Sequence, residues 1–162
     1  MTSIDKKVTA ADVAKYIVGR FQDCQDPVTN LKLQKLLYYV QGWHLGIFGE
    51  PVFDEEFQAW VHGPVVPGVF QTYKENRWNP IIGDVERVEL AAELKAHVDE
   101  VLDVYGGDSG WALELRTHRE APWKDARGAI PPDESSTAII SKDAMKSFFK
   151  KLDSDGQNQK NG

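Results

Sequence analysis

The sequence predicts a mainly α protein: a single compact domain of about six helices with a small two- to three-stranded β-sheet. Three observations support this fold class. Hydrophobic residues recur at helical spacing along most of the chain, the period changes to two in one short segment after residue 52, and 162 residues are about one domain's worth. Hydrophobic residues make up 41% of the chain and include five tryptophans, which is enough apolar material for a packed core.

The first helix is predicted at about residues 10 to 23. Its start, Thr9-Ala-Ala-Asp12, resembles a capping box, in which the two side chains satisfy backbone N–H groups reciprocally. The apolar positions that follow recur at spacings of three and four. They are Val13, Ala14, Ile17, Val18 and Phe21.

The second helix is predicted to lie at the centre of the domain because it is apolar on two sides. Leu31, Tyr38, Gly42 and Leu45 lie nearly opposite a longer stripe. Thr29 or Asn30 can cap its start, and Gly49 suits a left-handed stop. We expect His44, in the stripe, to be a core histidine bonded to a backbone carbonyl. The stripe consists of Leu33, Leu36, Leu37, Val40, Trp43, His44 and Ile47.

A short strand is predicted where Phe57, Ala59 and Val61 alternate with more polar neighbours. His62-Gly63-Pro64 is expected to end it. Because residues before proline favour extended geometry, a third helix should start near Pro67 and turn Val69, Phe70 and Tyr73 inward.

Three further helices are predicted in the second half of the chain. One spans about residues 88 to 105 and stops at Gly106-Gly107. The next is capped by Asp108 or Ser109, carries Trp111, Leu115 and His118 on one face, and ends at Ala121-Pro122. Residues 128 to 136 form a loop, and residues 137 to 140 can add an edge strand.

Ser141 then caps a last helix. Residues 153–162 contain no hydrophobic residue, so we expect a disordered polar tail after a domain spanning residues 1–152.

The charge of the chain argues against a surface built to hold phosphate backbones, because the net charge is −6. Twelve acids stand against four Lys and Arg residues between positions 51 and 108, which is either a solvated helix face or a field that steers a basic partner. A single cysteine, Cys24, allows no internal disulfide. With no signal peptide and no apolar run of about 20 residues, a cytoplasmic protein without a membrane partner is expected.

Catalytic motifs are absent from the sequence. It contains no Gly-x-Ser-x-Gly elbow, no Walker A motif and no Gly-x-Gly-x-x-Gly fingerprint. No two histidines have the i, i+4 spacing of a helical zinc site, and His97 is expected to be exposed. The sequence therefore predicts a non-enzymatic protein with no cofactor and no metal.

Two clusters are candidates for binding. Arg116, Arg119, Lys124 and Arg127 surround Trp123, a pattern that can grip an acidic partner or stack on a base, or else is a helix end followed by a core tryptophan. Three tryptophans also lie in or beside loops, where interface anchors are frequent. They are Trp60, Trp78 and Trp123.

Three segments carry a more specific pattern. They read Lys32-Leu-Gln-Lys-Leu-Leu-Tyr-Tyr-Val-Gln-Gly-Trp-His44, Pro51-Val-Phe-Asp54 and Phe57-Gln-Ala-Trp60-Val-His-Gly-Pro-Val-Val-Pro67. Together with Thr117-His118-x-x-x-Pro122-Trp123 they resemble the Panacea domain, the SocA-like antitoxin family also labelled phage-associated GepA-like. The resemblance extends over about residues 8 to 152.

The resemblance implies a bacterial or phage antitoxin of mostly helical fold with a small sheet, and it implies no catalytic set. The hypothesis that follows is neutralisation of a cognate protein toxin, encoded by the adjacent gene, by direct binding or by presenting the toxin to a AAA+ protease as an adaptor. The alternative is a nucleic-acid-binding transcriptional regulator, against which the net charge speaks.

The residues expected to contact the partner are Trp60, His62, Pro64, Val65, Val66, Trp78 and Trp123. The residues that carry the family pattern and are interpreted as structural are Leu33, Leu36, Leu37, Tyr39, Trp43, His44, Gly63 and His118.

Overall fold

A computed structural model describes residues 7–161, with side chains through residue 157. This part of the chain forms seven α-helices, one 3₁₀ turn at Lys74–Asn76 and a three-stranded antiparallel sheet, which confirms the predicted fold class. In chain order the elements are α1 (Ala10–Asp23), α2 (Asn30–Phe48), β1 (Phe57–Trp60), β2 (Gly63–Val65), α3 (Pro67–Tyr73), α4 (Ala92–Tyr105), α5 (Gly110–His118), α6 (Ala121–Arg127), β3 (Ile139–Ile140) and α7 (Lys142–Asn161).

Helix α2 lies at the centre of the domain, as its two apolar sides predict. Its residues from position 33 to 42 are all buried, and α1, α4, α5 and α7 pack around it. Tyr38 and Tyr39 each meet the ring of Phe149 on α7 edge to face. The stripe leaves the core at its last turn, where Ile47 is 47% exposed.

The predicted helix caps are present. The Thr9 hydroxyl accepts from the backbone N–H of Asp12, and the Asp12 carboxylate accepts from the N–H of Thr9, both at 3.1 Å. The Thr29 hydroxyl caps α2, and Gly49 ends it with a left-handed φ of 77°. These caps satisfy N–H and C=O groups that a helix end otherwise leaves unpaired.

The sheet has the order β2-β1-β3. The alternation predicted for β1 is confirmed, because Phe57 and Ala59 are buried while the residues between and after them are half-buried. The chain does not stop pairing at His62, however. Trp60 pairs with Gly63 across a two-residue turn, so the segment expected to end the strand forms a hairpin. Gly63 adopts a φ of 106°, and Pro64 is tolerated because β2 lies at the edge of the sheet.

The region after residue 110 differs from the prediction. Helix α5 buries Leu113, Glu114 and Thr117, whereas Trp111, on the face predicted to be apolar, is 66% exposed. Pro122 does not end this helix but lies in the first turn of a separate helix, α6. Proline fits there because the N–H groups of a first turn have no partner within the helix.

The last helix also extends beyond the predicted boundary. We expected a disordered tail from residue 153, and the structure continues α7 through Asn161. Residues 153–161 contain no proline, and most of them tolerate helical geometry. Across residues 7–161, none of the helices combines the length and the apolar character needed to cross a membrane.

Candidate partner-binding site

Four of the seven residues predicted to contact a partner line one surface groove of about 270 Å³. They are Trp60, His62, Val65 and Trp78. The groove lies between the start of α2, the β1–β2 hairpin and α3 with the 3₁₀ turn that follows it. Residues from five consecutive elements therefore meet at one place on the surface.

The walls of the groove are apolar. The Trp60 ring meets the Phe70 ring edge to face, with centroids 5.0 Å apart, and its indole N–H donates to Gln58 Oε1 at 2.8 Å. Leu31, from the first turn of α2, and Val65 complete this lining. The hydrogen bond leaves the faces of the indole free for apolar contact.

Trp78 forms the outer rim. It is 71% exposed, and its ring contacts the His62 ring edge to face at 5.7 Å. The residue before it, Arg77, has a φ of 54° and a ψ of −121°, a backbone conformation that side chains other than glycine rarely adopt. Strained backbone of this kind persists where the surrounding structure imposes it, and it is frequent at functional sites.

A buried lysine lies at the base. Lys35 has no exposed surface, and its Nζ donates to the carbonyl oxygen of Pro64 at 3.0 Å. Burial lowers the pKa of the Lys35 ammonium to about 7, and the negative charge of Glu114 opposes that shift. Glu114 itself lies 2.7 Å from His62 Nδ1. Lys35 thus ties α2 to the hairpin, and Glu114 ties α5 to the same hairpin through His62.

The remaining charges at the groove are positive. Lys74 and Arg77 lie on its rim, and among the described residues no aspartate or glutamate lines it. On a chain with a net charge of −6, this makes the groove a local exception. An anionic group approaching the rim meets cations first.

Three of the predicted partner residues are buried and do not line the groove, which corrects the prediction. Val65 does line the groove, although only 3% of it is exposed. Val66 is 2% exposed, and its N–H donates to Gln34 Oε1. Trp123 is 4% exposed, because its ring stacks on His118 at 4.1 Å and its indole N–H donates to the carbonyl oxygen of Trp60. Pro64 is buried and contributes its carbonyl to Lys35.

The residues of the family pattern occupy the interior and its margin. Leu33, Leu36, Leu37 and Tyr39 are fully buried on α2, and Gly63 is buried at the hairpin. The half-buried members are Trp43, His44 and His118.

The histidines differ from one another. His44 Nδ1 lies 2.5 Å from the carbonyl oxygen of Glu50, as expected for a histidine bonded to backbone. His97, expected to be exposed, is buried, and its Nε2 lies 2.9 Å from the carbonyl oxygen of Val40. In the part of the chain that the structure describes, no three His, Cys, Asp or Glu side chains are grouped so as to hold a metal ion.

The basic segment from Arg116 to Arg127 does not form one cationic face. Arg127 is buried and donates to the carbonyl oxygens of Ala59 and Pro131, so its charge serves the fold. Arg116 lies over the ring of Tyr105, 5.3 Å from its centroid. Arg119 and Lys124 line a separate depression between α6 and α7. The segment is a poor candidate for a phosphate-binding surface.

The sequence pattern did not identify seven of the groove residues, which are Asn30, Leu31, Gln34, Lys35, Phe70, Lys74 and Arg77. A signal existed for Leu31 and Lys35, because Leu31 lies away from the main stripe of α2 and a lysine at position 35 interrupts an apolar helix. For Lys74 and Arg77, charge alone did not distinguish a groove rim from any solvated surface.

Comparison with known proteins identifies one family that this chain matches. A family model described as "Antitoxin SocA-like, Panacea domain" matches residues 33–124, a range that includes all seven predicted partner residues. Antitoxin SocA of Caulobacter vibrioides (strain NA1000 / CB15N) is 36% identical over 94 residues, which are 58% of this chain. Those residues are 50% of that relative, so the chain aligns with about half of its length. No solved structure matches significantly.

Proposed function

Because the chain belongs to the SocA-like antitoxin family of Panacea domains, we propose that it neutralises a cognate protein toxin by direct contact through the groove between Trp60 and Trp78. In this proposal the toxin is the product of the adjacent gene. The proposed mode of action is binding rather than catalysis.

One observation carries the choice of surface. Trp78 is 71% exposed at the mouth of an apolar groove, next to Arg77. Tryptophan and arginine are the residue types most enriched among those that dominate binding energy at protein interfaces. Anchors of this kind occupy well-packed apolar pockets in a complex, and the contact between Trp60 and Phe70 forms one apolar wall of the groove beside Trp78.

A second tryptophan supplies the matched control. Trp111 is 66% exposed on α5 and does not line the groove. Trp78→Ala and Trp111→Ala therefore remove tryptophan side chains of similar exposure, one at the groove and one outside its lining. Truncating an interface anchor typically costs at least about 2 kcal/mol of binding free energy, a loss in affinity of roughly thirtyfold.

The experiment co-expresses the neighbouring open reading frame with each variant and measures growth, followed by co-purification. We expect the wild-type chain and Trp111→Ala to restore growth and to co-purify with the toxin. Trp78→Ala should be folded by circular dichroism yet lose both activities. Full rescue by Trp78→Ala would contradict the groove as the binding surface. If expression of the neighbouring gene alone does not slow growth, its product is not the toxin.

The adaptor form of the proposal makes a different prediction. If the chain presents its toxin to a AAA+ protease, co-expression of the chain should lower the toxin level in a host that has the protease. In a host that lacks the protease, rescue of growth should disappear. Direct blocking requires neither. Toxin half-life, measured with and without the chain, decides between the two mechanisms.

The nucleic-acid alternative is tested by a gel shift on the promoter of the chain's own operon at two salt concentrations. Phosphate contacts predict affinity that falls steeply with salt. We expect no shift at low salt, because Arg127, one of the four cations in the basic segment, is buried against backbone carbonyls.

A further inference from the structure

We propose that the groove recognises an acidic segment of the partner that inserts one large apolar side chain between Trp60 and Trp78. This inference rests on the proposed function and specifies the chemistry of the occupant. It follows from the size of the groove, the character of its lining and the sign of the charges around it.

The size of the groove suits one large side chain. Its volume of about 270 Å³ lies at the lower end of the roughly 300–1,000 Å³ typical of sites for drug-sized molecules and cofactors. The apolar part of the lining is the side chains of Leu31, Trp60, Val65 and Phe70. The amides of Asn30 and Gln34 also line the groove, and both are hydrogen-bonded within the protein. A phenylalanine, leucine or isoleucine of the partner would bury apolar surface here without leaving a polar group unpaired.

The charges around the groove select acidic neighbours for that side chain. Lys74 and Arg77 lie on the rim, and Lys35 is buried below. The Glu114 carboxylate lies 2.7 Å from His62 Nδ1 and does not line the groove. Glu75 is next to Lys74 along the chain but does not line the groove. Carboxylates flanking the inserted side chain would meet two exposed cations there.

The backbone presents these groups together. The strained conformation at Arg77, with φ at 54°, places Arg77 and Trp78 on one rim of the groove. Arginine can bind a carboxylate through two parallel hydrogen bonds, and the neighbouring indole offers a face for apolar contact. One turn of the chain thus provides both kinds of contact that an acidic segment with an apolar anchor requires.

The test uses three short capped peptides as probes. The first is Asp-Glu-Phe-Glu-Asp, the second replaces its Phe with Ala, and the third is Lys-Lys-Phe-Lys-Lys. Binding is followed by NMR through the indole N–H signals of the five tryptophans, assigned by single substitutions. We expect the first peptide to shift the Trp60 and Trp78 signals and to leave Trp111 unchanged. The other two peptides should bind at least about tenfold more weakly.

Charge-reversed variants provide the second arm. The double variant Lys74→Glu with Arg77→Glu should bind the acidic peptide at least about tenfold more weakly than the wild-type chain does. Lys124→Glu, an exposed cation on α6 outside the groove, should not. The absence of shifts at Trp60 and Trp78 up to about 5 mM acidic peptide would overturn the inference. Equal or tighter binding of the basic peptide would also overturn it.

Neutralisation in cells separates this inference from the proposed function. Loss of rescue in both Trp78→Ala and the charge-reversed double variant supports the two together. Loss of rescue in Trp78→Ala alone keeps the groove as the toxin site and rejects the acidic occupant. Full rescue by Trp78→Ala rejects the proposed surface itself.

Discussion

The ring of Phe149 on α7 lies directly against the backbone of Gly42 on α2, where a β-carbon would overlap it. Four residues further along α2, a β-carbon on Gly46 would lie 2.7 Å from the backbone of Phe149. Two glycines one turn apart therefore let the last helix approach the central helix closely. This contact attaches α7 to the rest of the domain.

Gly42→Ala is expected to lower the free energy of unfolding by about 2 to 3 kcal/mol, because the added methyl group has no space and Phe149 is fully buried. Urea unfolding measures the change. The control is Gly156→Ala on α7, where a β-carbon meets nothing within 4 Å. That substitution should be neutral or stabilise by up to about 1 kcal/mol, since alanine favours helices. Equal effects of the two substitutions would contradict the close approach of α7.

Gly63→Ala is expected to destabilise the hairpin and the base of the groove by about 2 kcal/mol or more. A β-carbon there would lie 2.6 Å from Lys35 Cε and 2.8 Å from Thr117 Oγ1, on a backbone with a φ of 106°. Thermal and urea unfolding should both show the loss. Gly68→Ala serves as the control, because its β-carbon would point into open space. A stable Gly63→Ala protein would show that the hairpin turn is not constrained in this way.

Replacing Arg77 tests the strain at the rim of the groove. Glycine adopts a φ of 54° with a ψ of −121° readily, whereas alanine does not. Since both substitutions remove the same side chain contacts, Arg77→Gly should be more stable than Arg77→Ala by about 1 kcal/mol. Chemical denaturation of the two variants measures the difference. If alanine were the more stable of the two, the backbone at this position would be unstrained.

Glu120 makes stability depend on pH. Burial raises the pKa of its carboxyl from 4.5 to about 7, while a hydrogen bond from the Tyr39 hydroxyl and the charge of Arg116 act in the opposite direction. A carboxyl whose pKa is raised by folding stabilises the protein fully below its unfolded pKa. That contribution is lost as the pH rises through the folded value. Between about pH 4.5 and 7 the wild-type chain should therefore lose up to about 3 kcal/mol through this group.

Glu120→Gln removes that titration. The free energy of unfolding of the variant, minus that of the wild-type chain, should rise by up to about 3 kcal/mol between pH 4.5 and 8. The other carboxyl groups are common to both proteins and cancel in the difference. Parallel stability curves for the two proteins would show that Glu120 ionises in the folded state as it does in the unfolded chain.

Much of the helical framework follows from the amino-acid sequence. The capping box of Thr9 and Asp12, the left-handed stop at Gly49 and the alternation of β1 depend on residues close together along the chain. Local patterns of this kind predict local structure because the interactions they describe span one or two turns. The central position of α2 is predictable for the same reason, since a helix with two apolar sides must be covered on both.

The errors arose where one residue type is compatible with two local structures. The local sequence predicts a helix stop at Pro122, yet proline is equally suited to the first turn of a new helix. It predicts the end of a strand at Gly63 and Pro64, and the same residues allow a tight hairpin. Deciding between such readings requires the partner strand or helix, which the local sequence does not specify.

The order of the amino acids is enough to predict the fold class, the family pattern and which tryptophans are candidates for a surface role. The burial of Trp123 against His118, the exposure of Trp78 and the position of Lys35 beneath the groove depend on the packing of distant segments. Burial depends on which distant segments cover a side chain. The bond from Trp123 to Trp60 joins residues 63 positions apart, and the contact of His62 with Glu114 joins residues 52 apart. Hydrophobic periodicity does not predict such long-range contacts, because it identifies the apolar face of one helix or strand and not the segment that packs against it.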